Sequence, residues 1–349
     1  MSHPLRVALT AFGMSGRLFH APFIQADPNF ELVKILERSR TDSRAQYPEA
    51  EIVRGYDEIL QDPSIDIIVI NTPNALHYSM TEAALLAGKH VIVEKPFTPT
   101  VAEGETLIKL AEQQGLMLSV YHNRRFASGY HTARKLLAES AVGELRSFTI
   151  NHERFRPQPG PKKWKEENHP GAGLFYDIGI HLLDEALLLF GLPCSLNADL
   201  RIQRRASHVN DYFDVRLEYA SFHVNLRGSL LAREPAPAYV IHGEQGSYLK
   251  QQQDVQESRL LAGVTPTADG WADEDEGDWG ILHSDAGRQK YPTQAGDYRD
   301  FYRNIYAHLC DKEPLLSSPQ QAVMALRLLE LALLSSQQQR TLPVRFSVG

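Results

Sequence analysis

The chain has 349 residues, 43% of them hydrophobic, a formal net charge of −7 and two cysteines. That is enough apolar material for two domains with real cores, and an acidic balance without a basic face or tail excludes a nucleic-acid partner from the expectation. Two cysteines far apart, a start without a signal-peptide core, and a final apolar run (Leu326 to Leu334) broken by Arg327 and Glu330 predict a cytoplasmic chain with no membrane span and no disulfide framework. Leu5 to Thr10 reads as a short apolar strand, followed by a glycine-bearing turn and a helix. Phe30 to Leu36 reads as a second strand. Ile65 to Ile70 is nearly all β-branched, as in a parallel strand buried on both faces. Asn74 to Ala87 reads as a helix stopped by Gly88, and His90 to Glu94 as a strand. Thr100 and Glu103 form a capping box for a helix that ends at Gln114 before Gly115, and Leu116 to Tyr121 is a further strand. Strands separated by helices predict α/β architecture, a doubly wound parallel sheet.

The pattern changes after Tyr121. Ser128 to Glu139 reads as a helix, Leu145 to Phe155 as a long strand, Arg156 to Pro170 as a polar stretch, and Asp177 to Phe190 as a strong helix. Strands follow at 196–202, 212–219, 223–230 and 239–242 with no helix between them, which predicts an α+β domain built on an open, mainly antiparallel sheet. Thr265 to Asp278 reads as an acidic surface loop, and two helices, near Asp297 to Cys310 and Pro319 to Gln338, close the chain. The expected division is residues 1–122 and 123–349.

Three groups of residues carry chemistry. After the first strand, Ala11-Phe12-Gly13-Met14-Ser15-Gly16-Arg17 is a Gly-x-Gly-x-x-Gly turn with alanine first. Gly13 lets the backbone approach a pyrophosphate, and Gly16 lets the helix pack on the strand. A ligand-free tight turn would look the same, but the acidic Glu37 stands about twenty residues on, where the fingerprint requires it. Glu37 is expected to chelate the ribose hydroxyls of NAD, whereas Arg38 and Arg40 beside it could hold the 2′-phosphate of NADP, so NAD(P) is expected with the preference open. Glu94-Lys95-Pro96 ends a buried strand, where open α/β sheets bind ligands, and Thr72-Pro73-Asn74 ends another. Lys95 could move protons there or be a plain surface lysine, and Asn74 could instead be a helix cap. Third, Asp177, His181 and Asp184 recur at helical spacing. An aspartate beside a histidine suits a general acid/base, while a capping Asp177 with a core histidine is the structural alternative. No histidine or cysteine at ligand spacing completes a metal site, so no metal is expected.

These segments, with Asn71-Thr72-Pro73-Asn74-Ala75-Leu76-His77 and Ala87-Gly88-Lys89-His90-Val91, resemble the Gfo/Idh/MocA family of oxidoreductases over essentially the whole chain. Tyr121-His122-Asn123-Arg124-Arg125-Phe126, Arg154-Phe155-Arg156-Pro157 and Ile241 to Tyr248 look like its branch of inositol dehydrogenases and bacterial relatives. The resemblance implies a Rossmann domain followed by a substrate-binding and dimerisation domain. It implies cofactor contacts from residues 11–17, from Thr72, Pro73, Asn74 and His77, from Glu94, Lys95 and Pro96, and from Asn123. It further implies that Lys95 touches cofactor and substrate across a cis Lys95–Pro96 bond, that His181 exchanges the substrate proton, and that Asp177 binds substrate and orients the histidine. Arg124, Arg125, Arg154, Arg156 and Tyr176 are candidate substrate contacts. The substrate expected is a polyol or sugar, inositol-like by preference, and the assembly a homodimer or homotetramer. An NAD-dependent glycosidase and a non-catalytic dinucleotide sensor are the alternatives on the same fold.

Overall fold

A computed structural model describes residues 3–160, 166, 167 and 169–346, so part of the polar stretch at 156–170 lies outside the described residues. The chain forms two compact units. The first is Met1–Asn123 together with Gln256–Trp271 and Tyr298–Val323, and the second is the remainder.

In the first unit, β1 (Leu5–Leu9), β2 (Phe30–Leu36), β3 (Glu51–Val53), β4 (Ile67–Ile70), β5 (His90–Glu94) and β6 (Leu118–Tyr121) form one sheet in the order β3-β2-β1-β4-β5-β6. Every pairing is parallel. The order reverses between β1 and β4, which is where a doubly wound sheet opens a crevice at its carboxyl end. Val7, Leu9, Ile67 to Ile70 and Val91 to Val93 are fully buried, as strands covered on both faces must be. The capping box at Thr100 and Glu103 is present, and Gly115 closes its helix in the left-handed region. The helix expected from Asn74 is split into a 3-10 turn, Asn74–Leu76, and an α-helix, His77–Leu86, with no side-chain cap at its start.

The returning segments complete this unit's core. Helix Arg299–Asp311 brings Tyr302 against Phe23 (stacked, 6.4 Å) and Phe30 (edge-on, 5.6 Å). Trp271 meets Phe23 edge-on at 5.5 Å and is buried, so the segment read as a wholly surface loop is anchored by one aromatic side chain. Ser317 closes the free edge of β6, exchanging bonds with Ser119 and Val120 at 2.8 and 2.6 Å.

In the second unit, β7 (Leu145–Glu153), β8 (Ser195–Arg201), β9 (Tyr212–Glu218), β10 (His223–Ser229), β11 (Tyr239–Gly243), β12 (Gly246–Lys250), β13 (Gly280–Ser284), β14 (Gly287–Tyr291) and β15 (Leu342–Pro343) form a second sheet, ordered β14-β13-β12-β11-β7-β10-β9-β8-β15. It is antiparallel except between β7 and β10. Phe148, Ile150, Phe213, Val215, Leu217, Val224 and Leu226 are buried on one face, and Phe190 of helix Ile180–Phe190 packs edge-on against Phe148 at 5.2 Å. The other face carries Thr149, Arg216, Asn225 and Arg227, the alternation of a sheet covered on one side.

Candidate functional site

The first unit's candidate residues gather at the turn after β1. Asn71, the residue after β4, brackets it: Oδ1 accepts from the Ala11 N–H at 2.9 Å and Nδ2 donates to the Ala11 carbonyl at 2.8 Å. A Cβ on Gly16 would sit 2.4 Å from the Ala11 carbonyl oxygen, whereas one on Gly13 would meet nothing within 4 Å. The turn is therefore closed against the protein at Gly16 and open at Gly13. Gly16–His20 forms a π-helical turn, with His20 buried behind it. His20 Nε2 lies 3.1 Å from Glu94 Oε1, and Nδ1 lies 2.7 Å from the Tyr302 hydroxyl. The Ser15 hydroxyl donates to the same Glu94 oxygen, and the Lys95 N–H donates to Oε2 at 3.1 Å. Glu94 thus ties the turn to the strand end that carries Lys95. Burial opposes its charge, but the bonds from His20 and Ser15 and the nearby Lys95 cation win and hold the carboxyl down at about 2. Lys95 is half-buried, and the Lys95–Pro96 peptide is cis.

His77 is fully buried between two strand ends. Nδ1 lies 2.8 Å from the Pro96 carbonyl and Nε2 lies 3.1 Å from that of Thr72. Burial pushes the pKa below the usual histidine value and outweighs the two carbonyl acceptors, which favour a charged ring. His77, expected as a cofactor contact, links the ends of β4 and β5 through these two carbonyls. Glu37, expected at the ribose, is held by its own loop. Its Oε2 accepts from the Asp42 N–H at 2.9 Å, and its Oε1 accepts from the Ser43 N–H at 3.0 Å and the Ser43 hydroxyl at 2.5 Å. The carboxylate is buried in its own loop, while Arg38 and Arg40 are exposed. Phe12 packs edge-on against Tyr47 at 5.8 Å; Met14 and Arg17 are exposed, and Thr72, Pro73, Asn74 and Asn123 are half-buried.

The second unit holds the remaining candidate residues. Gly173, at φ 97°, leads into the helix that bears Asp177 and His181. Asn210 receives the Leu174 N–H on its carbonyl and the Phe175 N–H on Oδ1, both at 2.8 Å, which satisfies two donors at the helix start. Phe175–Gly179 is a π turn, and the α-helix proper is Ile180–Phe190. Asp177 therefore sits inside a wide turn rather than at a cap, and the simple α-helical stripe of Asp177, His181 and Asp184 is broken. Asp184 instead grips Arg125 through Nε at 2.8 Å and through Nη2, both side chains 5% exposed. Arg125, expected to contact substrate, has its guanidinium committed to this buried fork.

Arg124 is placed differently. Its Nη1 donates to Gln253 Oε1 and lies 3.3 Å from His152 Nδ1. His152 is held neutral, its pKa well below the ordinary value, by enclosure and by the Arg124 and Arg154 cations, with Asp177 pulling the other way. Arg124, His152, Arg154, Asp177 and Gln253 form one polar cluster, and the Gln253 amide nitrogen within it is buried without a partner among the described residues. Arg156 is exposed and Tyr176 half-buried. His181 is 5% exposed. Four residues on, Glu185 is buried beside Tyr239 and Arg124, and burial raises its carboxyl to about 7.

Two family models match the chain: "Oxidoreductase family, NAD-binding Rossmann fold" over residues 5–122 and "Oxidoreductase family, C-terminal alpha/beta domain" over 134–346. The chain is 33% identical over 342 residues to scyllo-inositol 2-dehydrogenase (NADP(+)) IolW of Bacillus subtilis, covering 97% of this chain and 95% of that one. It is 39% identical over 348 residues to the uncharacterized oxidoreductase YdgJ of Escherichia coli, covering 98% and 99%. A crystal structure of an oxidoreductase from Bacillus cereus superposes with a TM-score of 0.87 at 28% identity, covering 98% and 99%. The chain belongs to the Gfo/Idh/MocA oxidoreductase family.

As a Gfo/Idh/MocA protein it is an NAD(P)-binding oxidoreductase, and the turn fits that cofactor. The space beside Gly13, where a pyrophosphate would lie, is open, and Asn71 holds the Ala11 backbone through both its N–H and its carbonyl. Asn71, His20, His152, Gln253, Asn210 and Glu185 are the site-building residues that sequence reasoning passed over. Asn71 alone carried a signal, as a polar residue directly after a wholly β-branched run. The others meet partners far along the chain, which no local pattern encodes. Among the described residues no helix is long and apolar enough to cross a membrane.

Proposed function

We propose that the protein transfers a hydride between nicotinamide and a secondary alcohol or ketone of a polyol or sugar, an inositol-like ring being favoured. The bound dinucleotide supplies or accepts the hydride. Lys95 presents its cation to the substrate oxygen, where negative charge grows as the hydroxyl proton leaves. His181 takes that proton, and Asp177, in the wide turn that precedes the helix, binds the substrate and orients the ring. The neutral His152 can both donate and accept, and with Arg124 and Arg154 it offers the hydrogen bonds that a polyhydroxylated ring needs. The observation that carries the reading is the bond from Ser15 to Glu94, because it joins the cofactor turn to the strand end holding Lys95. The inositol preference draws on the printed activity of the Bacillus subtilis relative.

We also assign Cys194 and Cys310, both unbridged, to a reducing cytoplasmic setting, and the polar sheet face to a homodimer or homotetramer contact. The test of the chemistry is a panel of inositols, polyols and sugars with NAD and NADP, read at the absorbance of reduced nicotinamide. With the best substrate, His181→Ala should lower kcat about 10²- to 10⁴-fold with cofactor affinity nearly intact. Lys95→Met should lower kcat and disturb cofactor affinity as well. Normal turnover by His181→Ala would remove the histidine from the proton path.

A further inference from the structure

A guanidinium can only donate, so the contacts of Arg124 settle how two neighbours face it. Gln253 turns Oε1 to Arg124 and its amide nitrogen away, and His152 turns a lone pair on Nδ1, which leaves the proton of the neutral ring on Nε2. Both residues therefore offer N–H donors within the cluster that holds Arg154 and Asp177. The Gln253 amide nitrogen is buried and meets no acceptor among the described residues. Burying a donor unmatched opposes folding, and a bond made only when ligand is present accounts for its retention. Nor is Gln253 a loose loop amide. It follows β12, whose last residue, Lys250, is fully buried with its ammonium bonded to Glu274, to the Asp278 carbonyl at 3.0 Å and to Thr293 Oγ1 at 3.3 Å. Glu274 accepts in turn from the Ser128 hydroxyl at the start of helix Ser128–Ala138. The Gln253 carbonyl accepts from the Gly129 N–H at 2.9 Å, and the Asp254 carboxylate accepts from the Ser128 N–H at 2.9 Å. A Cβ on Gly129 would stand 2.4 Å from the Gln253 carbonyl oxygen, so glycine is what lets the helix start come this close. The helix start thus fixes the backbone of Gln253, and Arg124 fixes its amide.

From the fixed amide and its unmatched nitrogen together, we infer that Gln253 is a specificity-determining residue, its Nε2 donating to a substrate oxygen other than the one that is oxidised. The site thereby reads an oxygen acceptor at that position. A substrate with hydrogen in its place leaves the amide unmatched and is discriminated against. The inference rests on the polyol or sugar reading of the site and adds the residue that reads the part of the substrate that does not react.

The test is steady-state turnover by the full chain with the best substrate of the inositol, polyol and sugar panel that lacks a rotation axis, and with its monodeoxy derivatives, one position at a time. Parent, Gln253→Glu and Gln253→Met are compared. Gln253→Glu keeps an oxygen for Arg124 and loses the donor, whereas Gln253→Met keeps the length and loses both. Each should raise KM roughly 3- to 30-fold, with kcat within about threefold and NAD(P)H affinity unchanged. One deoxy derivative should lose a similar factor in kcat/KM with the parent and nothing further with Gln253→Met, the non-additivity of two bonded groups. If Gln253→Met melts below the assay temperature, Gln253→Glu carries the deoxy series. A Gln253→Glu protein with the parent's KM would overturn the inference and leave Gln253 a brace for Arg124. A deoxy series in which every penalty is the same in parent and variant would overturn it too. Both outcomes leave the polyol reading standing, because turnover itself persists. Absence of turnover with every member of the panel would remove that reading, and this inference with it.

Discussion

Two glycines three positions apart serve opposite surroundings. Gly13 faces open space, and Gly16 faces a carbonyl oxygen and an amide. Gly13→Val should therefore leave the melting temperature near that of the parent and abolish NAD(P)H binding by titration. Gly16→Ala should do damage in the other order: forcing a methyl into that contact costs roughly 1–3 kcal/mol, and the fold pays before the ligand does. A Gly13→Val protein that binds cofactor normally would mean that the turn is not the pyrophosphate site. The motif made both glycines legible, because the tight turn is a local property of the chain. The bond from Ser15 to Glu94 was not legible, since its partners lie 79 residues apart and neither residue type demands the other. The surroundings of Glu37 were hidden for a related reason: sequence spacing placed the carboxylate at the strand end, but the backbone donors that hold it lie five and six residues later.

At the scale of elements, the helix of the second unit shows where periodicity stops being a guide. Its existence was plain from the apolar run Leu182, Leu183, Leu187 and Leu188, but the π turn at Phe175–Gly179 was hidden. One wide turn separates Asp177 from the α-helical spacing behind it, and Asp184, within that α-helix, pairs with Arg125. The same helix buries Glu185, whose carboxyl moves from 4.5 to about 7 because burial disfavours its charge. The folded state therefore holds the proton more tightly than the unfolded one. That contribution to stability is fully present below pH 4.5 and is lost as the pH rises towards about 7. Glu185→Gln cannot ionise, so its stability should fall less across that window. At pH 8 it should exceed the parent by up to roughly 3 kcal/mol, the equivalent of the shift. Urea denaturation at pH 4.5, 6 and 8 decides the matter. Parallel profiles for parent and variant would show that Glu185 titrates like an exposed carboxyl.

At the scale of the whole molecule, the linear division at residue 122 follows from the change of strand pattern. Such a pattern has no means of registering segments that come back. The first unit takes in Gln256–Trp271 and Tyr298–Val323, and they carry much of its aromatic core. Tyr302 meets Phe23, Phe30 and Tyr121, and its hydroxyl holds the buried His20 behind the dinucleotide turn. A fragment ending at Asn123 would expose those rings and the edge of β6 that Ser317 covers. Truncation at that point should give a protein without a cooperative thermal transition, in contrast to the full chain. Within the full chain, Tyr302→Ala removes ring and hydroxyl together and should cost about 3–5 kcal/mol. Tyr302→Phe keeps the ring and should cost about 1 kcal/mol through the lost bond to His20. The smaller substitution has a second expected effect, because His20 and Ser15 share an oxygen of Glu94. With one support of the histidine gone, NAD(P)H affinity should weaken measurably while the fold stays intact. A fragment 1–123 that melts cooperatively, or a Tyr302→Phe protein with parental cofactor affinity, would show that the Rossmann unit is complete without the returning helix.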